Sequence, residues 1–240
     1  MSIPECDAIA VPSMTLTAIP ELPQIFASRP NREAAGGTAY LVTRSHEASP
    51  ENVLIDCPAY SDDMRDLLHE LGGVRWLFLT HRTAIGVPAS KTGTVAAIAR
   101  DFNCEIIIQE QEAYLLPHLQ LTTFHRSLQL APDLRAIWTP GHSPGSSCFY
   151  LEKHGGVLFT GRHLLPDANG FPVPQRQTTT FHWPRQRRSV EILLDDIAAP
   201  APAWICPGAK LRALRGMKAI AHPRPHLERW LVESLVTVEE

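Results

Sequence analysis

The sequence predicts one α/β domain built as a four-layer αββα sandwich. Strand-like apolar runs alternate with amphipathic helical segments in both halves of the chain. Its 240 residues suffice for a sizeable core, and no internal repeat or low-complexity linker divides them. Each half of the chain is rich in strands and flanked by helices. Two sheets packed face to face, with helices on their outer sides, would bury the apolar faces of all these elements. We therefore predict a single domain over residues 1–240.

In the first half of the chain, the sequence predicts four strands, of which the first two are paired, and two helices. Residues 1–30 contain five prolines, which predict an irregular lead-in with one short strand. Ser61 is predicted to cap a helix whose first turn is acidic and which ends at Gly72-Gly73. A second helix face lies at Val95, Ile98, Ala99 and Phe102. Strands are predicted at 38–43, 52–56, 75–80 and 105–108, and the apolar run at 75–80 is typical of a central strand covered on both faces.

The second half repeats this alternation. A helix face is predicted at Val190, Leu193, Leu194 and Ile197, and a C-terminal helix within 222–240 that begins near Arg224. Strands are predicted at 134–138, 147–151, 156–159 and 203–206.

The composition favours a cytoplasmic protein that binds neither nucleic acid nor a membrane. The formal net charge is -3, which gives no electrostatic reason to expect a polyanionic partner. No apolar segment is long enough to span a bilayer, and the N-terminus lacks a signal-peptide pattern. The five cysteines are odd in number and contain no C-x-x-C, which indicates reduced thiols. The basic cluster Arg185, Arg187 and Arg188 is interpreted as a solvated surface, with a phosphate or partner contact as the alternative.

Five segments carry a resemblance to a known family. They are 52–56 (NVLID), 77–81 (LFLTH), 139–146 (TPGHSPGS), 158–162 (LFTGR) and, more weakly, 204–209 (WICPGA). In order and strand context they resemble the metallo-β-lactamase superfamily, so the resemblance implies that family's αββα fold. In its hydrolases, histidines and aspartates from these segments hold two adjacent metal ions that activate a hydroxide.

Compared residue by residue, the chain keeps two of seven metal-ligand positions. His81 matches the first histidine of H-x-H-x-D-H, and His142 matches the T-P-G-H histidine. The resemblance implies that these two serve different metals. The replaced positions hold Thr83, Ile85, Gly86, Arg162 (for the bridging aspartate) and Ala209 (for the last histidine).

These replacements predict that the dinuclear centre is lost. A catalytic zinc normally has three protein ligands, and the Arg162 guanidinium would place a fixed positive charge in a former dication site. No cofactor is therefore expected, while a residual single zinc or iron ion on His81 and His142 stays open. A rebuilt site that adds Cys57, Cys206 or His163 is a further alternative, and either His163 or His182 could enter the pocket.

The candidate site residues follow from the same motifs. His81 and His142 are the candidate catalytic residues, with two well-packed, hydrogen-bonded histidines as the alternative interpretation. The predicted pocket residues are Asp56, Cys57, Thr83, Arg162, His163 and Ala209. We further hypothesise that Arg162 pairs with Asp56 and so replaces the charge of the missing metals.

Three function classes remain open, so whether the chain is an enzyme is undecided at this point. The first is a non-catalytic or catalytically altered binding or assembly module, in effect a pseudoenzyme. The second is a hydrolase of a thioester, lactone or phosphodiester with a rebuilt or mononuclear metal site. The third is a metal-independent enzyme in which Arg162 binds an anionic substrate. The partner is thus a small anion or another protein, and residues 171–183 are predicted to form either an interface loop or a lid.

Overall fold

The structure is a computed structural model that describes residues 16–46, 49–86, 93–197 and 201–236. Four α-helices lie in these ranges: α1 (Asp62–Glu70), α2 (Thr94–Phe102), α3 (Trp183–Asp196) and α4 (Arg224–Val236). Short 3₁₀ helices cover Arg82–Ile85, Glu110–Leu115, Lys153–Gly155 and Leu211–Leu214. The described strands are β1 (Leu16–Ile19), β2 (Leu22–Ser28), β3 (Tyr40–Val42), β4 (Ser45–His46), β5 (Ser49–Pro50), β6 (Val53–Ile55), β7 (Trp76–Leu79), β8 (Glu105–Gln109), β9 (Leu121–Phe124), β10 (Ser127–Ala131), β11 (Leu134–Trp138), β12 (Ser147–Leu151), β13 (Val157–Gly161), β14 (Leu165–Pro166), β15 (Pro172–Val173), β16 (Trp204–Pro207) and β17 (Ile220–Ala221).

Two large mixed sheets form the centre of the molecule. The first has the order β1-β2-β3-β6-β7-β8-β9, and its strands β6 to β9 run parallel. The second has the order β10-β11-β12-β13-β16-β17, with β13 and β16 parallel. Two small pairs, β4-β5 and β14-β15, complete the described strands. The chain passes from one sheet to the other at His125-Arg126, between β9 and β10.

Three apolar clusters separate the layers. One lies between the sheets, where the rings of Phe78 and Phe149 are 5.0 Å apart and those of Tyr40 and Phe159 are 5.4 Å apart. A second joins the first sheet to α1 and α2, and a third joins the second sheet to α3 and α4. The layer order is therefore helix, sheet, sheet, helix, which confirms the predicted αββα class.

Local sequence signals explain the elements that lie nearest the site. The Ser61 side chain accepts a hydrogen bond from the Met64 amide and so caps α1 as predicted. All four residues of β7 are buried, because this strand has the intersheet cluster on one face and the helix layer on the other. The His182 side chain caps α3 by accepting from the Arg185 amide, and Pro184 occupies the first turn.

Several expectations differ from the structure. Residues 16–28 form the hairpin β1-β2, two strands where an irregular lead-in with one short strand was predicted, because β1 pairs with β2 and β2 pairs with β3; residues 1–15 lie outside the described residues. The strands β9 and β10 were not predicted, since only one of their nine side chains is buried and no regular apolar pattern marks them. The C-terminal helix is described over Arg224–Val236 and begins where it was predicted, while residues 237–240 lie outside the described residues. Within the described ranges, no helix is both long and apolar enough to cross a membrane.

Candidate functional site

The five motif segments meet at one end of the two sheets. Asp56 follows β6 directly, and His81 follows β7 after one residue. His142 lies in the loop between β11 and β12, while Arg162 and Ala209 follow β13 and β16. Since β6 and β7 run parallel, as do β13 and β16, their carboxyl ends share an edge. The fold thus places together residues that are far apart in the sequence.

A hydrogen-bonded chain links Asp56 to His81 through Thr80. The Asp56 carboxylate accepts from the Thr80 amide and from the Thr80 hydroxyl, both at 2.8 Å. Thr80 Oγ1 lies 2.7 Å from His81 Nδ1. With Asp56 ionised, the Thr80 hydroxyl proton points to the carboxylate, so Nδ1 of His81 is the donor to Thr80. The His81 Nε2 atom then carries a lone pair, and it has no hydrogen-bond partner among the described residues.

Three buried histidines form the interior of the site. The His81 and His142 rings are in edge-to-face contact, with centroids 5.2 Å apart. Burial lowers the pKa of His142 to about 4 and that of His163 to about 3, and it lowers the pKa of His81 well below its ordinary value. The proximity of His142 lowers both of the other values further. All three imidazoles are therefore neutral at pH 7.

These positions bear on two interpretations made from the sequence. The resemblance was interpreted as placing His81 and His142 on different metals, whereas in the structure the two rings are in edge-to-face contact. The alternative of two hydrogen-bonded structural histidines fits only in part. His81 Nδ1 has a partner, whereas His81 Nε2, His142 Nδ1 and both His163 nitrogens have none among the described residues.

Arg162 binds a neighbouring loop rather than Asp56. Its Nη2 atom donates to the carbonyl oxygens of Ala34 and Ala35, at 3.2 and 2.6 Å. No ion pair joins Arg162 to Asp56, whose carboxylate is held by Thr80, so the hypothesis of a direct pair is wrong. The guanidinium still lies close enough to lower the pKa of Asp56, although burial outweighs this effect and raises that pKa to about 7. The same charge lowers the pKa values of His81 and His142.

The other candidate residues, Cys57, Cys206, Thr83 and Ala209, are buried or half-buried. Both thiols, of Cys57 and of Cys206, lie in apolar clusters. Burial raises the pKa of each thiol, which disfavours a thiolate ligand. Thr83 is half-buried in the short helix after His81, and Ala209 is buried next to Gly208.

Comparisons with known proteins agree with this geometry at the level of fold. No protein-family model matches the sequence. An archaeal metallo-β-lactamase superfamily protein from Sulfolobus tokodaii is 15% identical with a TM-score of 0.53, covering 93% of this chain and 87% of that chain. The DIM-1 metallo-β-lactamase is 14% identical with a TM-score of 0.59, covering 85% and 96%. This chain has the metallo-β-lactamase fold.

A curated sequence relative is consistent with that fold. The lactamase-like protein notP of Aspergillus sp. (strain MF297-2) is 27% identical over 136 residues, which are 55% of this chain. The matched region covers 40% of that relative, so the chain matches less than half of its length.

The residues at the metal end of this metallo-β-lactamase fold do not fit a dinuclear centre. Among the described residues, no group of three or more histidine, cysteine, aspartate or glutamate side chains is arranged to hold a metal ion. Arg162 occupies the position that the resemblance gives to the bridging aspartate, and a guanidinium has no lone pair for a metal. Asp56, the nearest carboxylate, is already engaged by two donors from Thr80.

Sequence reasoning missed the residues that support the site. Thr80 was seen only as part of the T-H motif, although a hydroxyl before the histidine was a usable signal. The Asn31 side chain donates to the Cys57 carbonyl at 3.1 Å and helps to hold the loop at 31–37 that Arg162 contacts. No pattern in that loop indicated this role, because Arg162 binds its backbone carbonyls, which every residue type carries.

The segment 171–183, predicted as an interface loop or a lid, contacts the site through its C-terminal end. The Phe181 amide donates to the His142 carbonyl at 3.0 Å, and the His182 amide donates to the Gly141 carbonyl at 2.9 Å. At its other end, the Phe171 ring stacks on His226 of α4 at 3.8 Å. The segment therefore braces the T-P-G-H loop from outside, and His182 serves as a helix cap rather than a pocket residue.

Proposed function

We propose that this chain is a binding protein that uses the pocket of the metallo-β-lactamase fold to hold a small organic anion, without a dinuclear hydrolytic centre. The observation that carries the proposal is the position of Arg162. Its guanidinium is fixed by two backbone carbonyls, its Nε atom has no partner among the described residues, and it acts electrostatically on His81 and His142.

The charges of the site favour an anion. The three buried histidines are neutral at pH 7. The positive charge at this site therefore comes from Arg162, and a negative ligand would pair with its guanidinium. Asp56 accepts two hydrogen bonds from Thr80, one on each carboxylate oxygen. A carboxylate or phosphate pairs well with a pre-positioned guanidinium. A hydroxyl or amide on the same ligand would find an acceptor in His81 Nε2.

Removing the guanidinium tests this proposal. We expect Arg162→Gln to weaken the binding of small carboxylates such as acetate and malonate by about tenfold or more, because a buried charge-assisted hydrogen bond contributes roughly 1.5–3 kcal/mol. Calorimetric or NMR titration measures the affinity. Arg229→Gln removes the same charge from an exposed position of α4 and should leave the affinity unchanged. Equal affinities for the intact chain and Arg162→Gln would refute anion binding at this site.

A mononuclear metal hydrolase is the second candidate. It rests on the contact of two neutral imidazoles, each with an unpartnered buried nitrogen, since neutral imidazole is a good ligand for zinc and iron. His81 also has the outer partner that metal-bound histidines commonly have, here Thr80 and Asp56 behind it. Under this alternative, His81 and His142 would hold the ion and the ion would polarise an ester or thioester carbonyl.

Elemental analysis separates the two candidates. We expect protein purified without a metal-affinity tag to hold well below one ion per chain, before and after incubation with zinc, iron and manganese, because two protein donors do not complete a site. About one tightly held ion per chain, lost in His81→Gln and in His142→Gln, would favour the hydrolase. The exposed His118→Gln is the matched control. A cytoplasmic location, predicted from the cysteine pattern, remains part of this proposal.

A further inference from the structure

A second groove lies away from the histidine site, between α3 and the strands β10 and β11. Its volume is about 530 Å³, within the range of roughly 300–1,000 Å³ typical of small-molecule sites. The lining residues are Arg126, Ser127, Ile137, Trp138, Pro140, Arg185, Arg188, Ser189, Ile192 and Asp196.

Three arginines give this groove its positive charge. Arg126, Arg185 and Arg188 are exposed, and the described residues place no carboxylate within 4.0 Å of their guanidinium groups. The Arg185 guanidinium lies 4.8 Å from the centre of the Trp138 ring, which orients it over the groove floor. The sequence interpretation treated Arg185, Arg187 and Arg188 as one solvated surface. In the structure Arg185 and Arg188 line the groove, whereas Arg187 does not and donates to the Ser234 carbonyl at 2.6 Å.

The lining carboxylate does not neutralise these arginines. Asp196 pairs with Arg135, which is outside the groove, with 3.1 Å between Oδ2 and Nη2. Arg135 thus offsets the negative charge of Asp196 from outside the groove. The lining itself therefore carries three arginines and one aspartate, a formal charge of +2, and the aspartate is paired with an arginine from outside.

The other part of the lining is apolar. Ile137, Trp138 and Pro140 form the floor, and the side chain of Ile192 on α3 forms a wall although 53% of its surface is exposed. A ligand that covers Ile192 removes this apolar area from water, which is favourable. Apolar walls beside a cluster of guanidinium groups fit a molecule with one anionic end and one apolar end.

We propose that this groove binds an organic phosphate monoester with a short apolar body. Phosphate is favoured over carboxylate because a monoester carries a charge of about -1.5 to -2 near pH 7 and three acceptor oxygens, which match several guanidinium forks. The site is independent of the proposed function, since Asp56, Thr80, His81, His142, Arg162 and His163 are not among its lining residues.

Titration of the full chain with n-hexyl phosphate in the Arg162→Gln background, which removes the anion site proposed above, tests this proposal. We expect one ligand per chain, and at least about a tenfold loss of affinity in the Arg126→Gln/Arg188→Gln double variant of that background. Both of these arginines are exposed, so the double variant should keep the melting temperature of Arg162→Gln. Arg229→Gln in the same background is the control for net charge and should bind n-hexyl phosphate as tightly as Arg162→Gln alone.

Inorganic phosphate and hexanoate test the two halves of the ligand. Each is expected to bind at least about tenfold more weakly than n-hexyl phosphate. Equal binding of inorganic phosphate would overturn the role of the apolar walls, and equal binding of hexanoate would overturn the choice of phosphate. Undetectable binding of n-hexyl phosphate at millimolar concentration, or binding that the double variant retains in full, would overturn the site itself.

Discussion

Gly141→Ala is expected to lower the free energy of unfolding by about 3–5 kcal/mol, a large share of the roughly 5–15 kcal/mol of a typical domain. A Cβ atom at this position would lie 2.2 Å from Cα and 2.4 Å from the amide nitrogen of Gln186. These are backbone atoms of α3, so no side-chain rotation relieves the overlap. The φ angle of +143° adds strain, since residues with a side chain rarely adopt it. The midpoint of urea denaturation measures the loss.

The expected loss includes contacts that hold the T-P-G-H loop on α3. The Ser189 hydroxyl donates to the Pro140 carbonyl at 2.7 Å, and Gln186 Nε2 donates to the His163 carbonyl at 3.0 Å. Moving the loop away from α3 would stretch the first bond, while moving α3 would stretch both. The glycine of this motif is thus required by close packing of loop on helix, whatever chemistry the neighbouring His142 performs.

Gly216→Ala is the matched control for Gly141→Ala. Gly216 has a φ of +106°, but an added Cβ would meet nothing within 4 Å. It therefore reports the backbone strain alone, about 1–2 kcal/mol. If Gly141→Ala lowers the free energy of unfolding no more than Gly216→Ala does, the loop can move away from α3 without loss of stability, and the prediction is wrong.

Acidification is expected to destabilise the protein by about 2–3 kcal/mol between pH 6.5 and pH 4.5. Below pH 6.5 the histidines of the unfolded chain take up protons, while His81, His142 and His163 stay neutral in the folded chain because burial lowers their pKa values. The unfolded state then binds more protons, so stability falls as the pH falls, by about 1.4 kcal/mol per pH unit for each proton.

Two buried carboxyl groups oppose this trend. Burial raises the pKa of Asp56 to about 7 and also raises the pKa of Glu112. Each holds its proton more tightly in the folded chain, so its contribution is full at low pH and is lost as the pH rises toward its folded pKa. Acidification lowers the free energy of unfolding through three histidines and raises it through two carboxyl groups, so the net effect is a loss of stability. Urea unfolding at a series of pH values, with a chelator present so that metal does not compete for the imidazoles, measures the slope.

His163→Leu is the variant that tests the origin of this slope. Neither ring nitrogen of His163 has a partner among the described residues, so an apolar side chain of similar size is expected to maintain or increase stability at pH 7. It should also reduce the slope by about one proton. His118→Gln, at an exposed histidine, should keep the original slope. An unchanged slope in His163→Leu would contradict the assignment.

Most of the layered fold could be predicted from the sequence. The helix around Met64 and the strands β11 and β12 were predicted within two residues, because periodic apolar residues and caps are local signals. The hairpin β1-β2 and the strand β10 were not, because their pairing partners, rather than their own patterns, make them strands.

The sequence by itself determined the order of the motifs and the αββα class, because each depends on residue identity or on local periodicity, and through the resemblance it predicted that five of seven family ligand positions are replaced. Only the tertiary structure decided which side chains meet. In the folded chain, the Asp56 carboxylate accepts hydrogen bonds from Thr80, and Arg162 donates hydrogen bonds to the carbonyl oxygens of Ala34 and Ala35. The physical reason is competition for hydrogen bonds: the amide and hydroxyl of Thr80 lie within reach of the carboxylate, whereas the pairing of distant residues depends on the packing of both sheets.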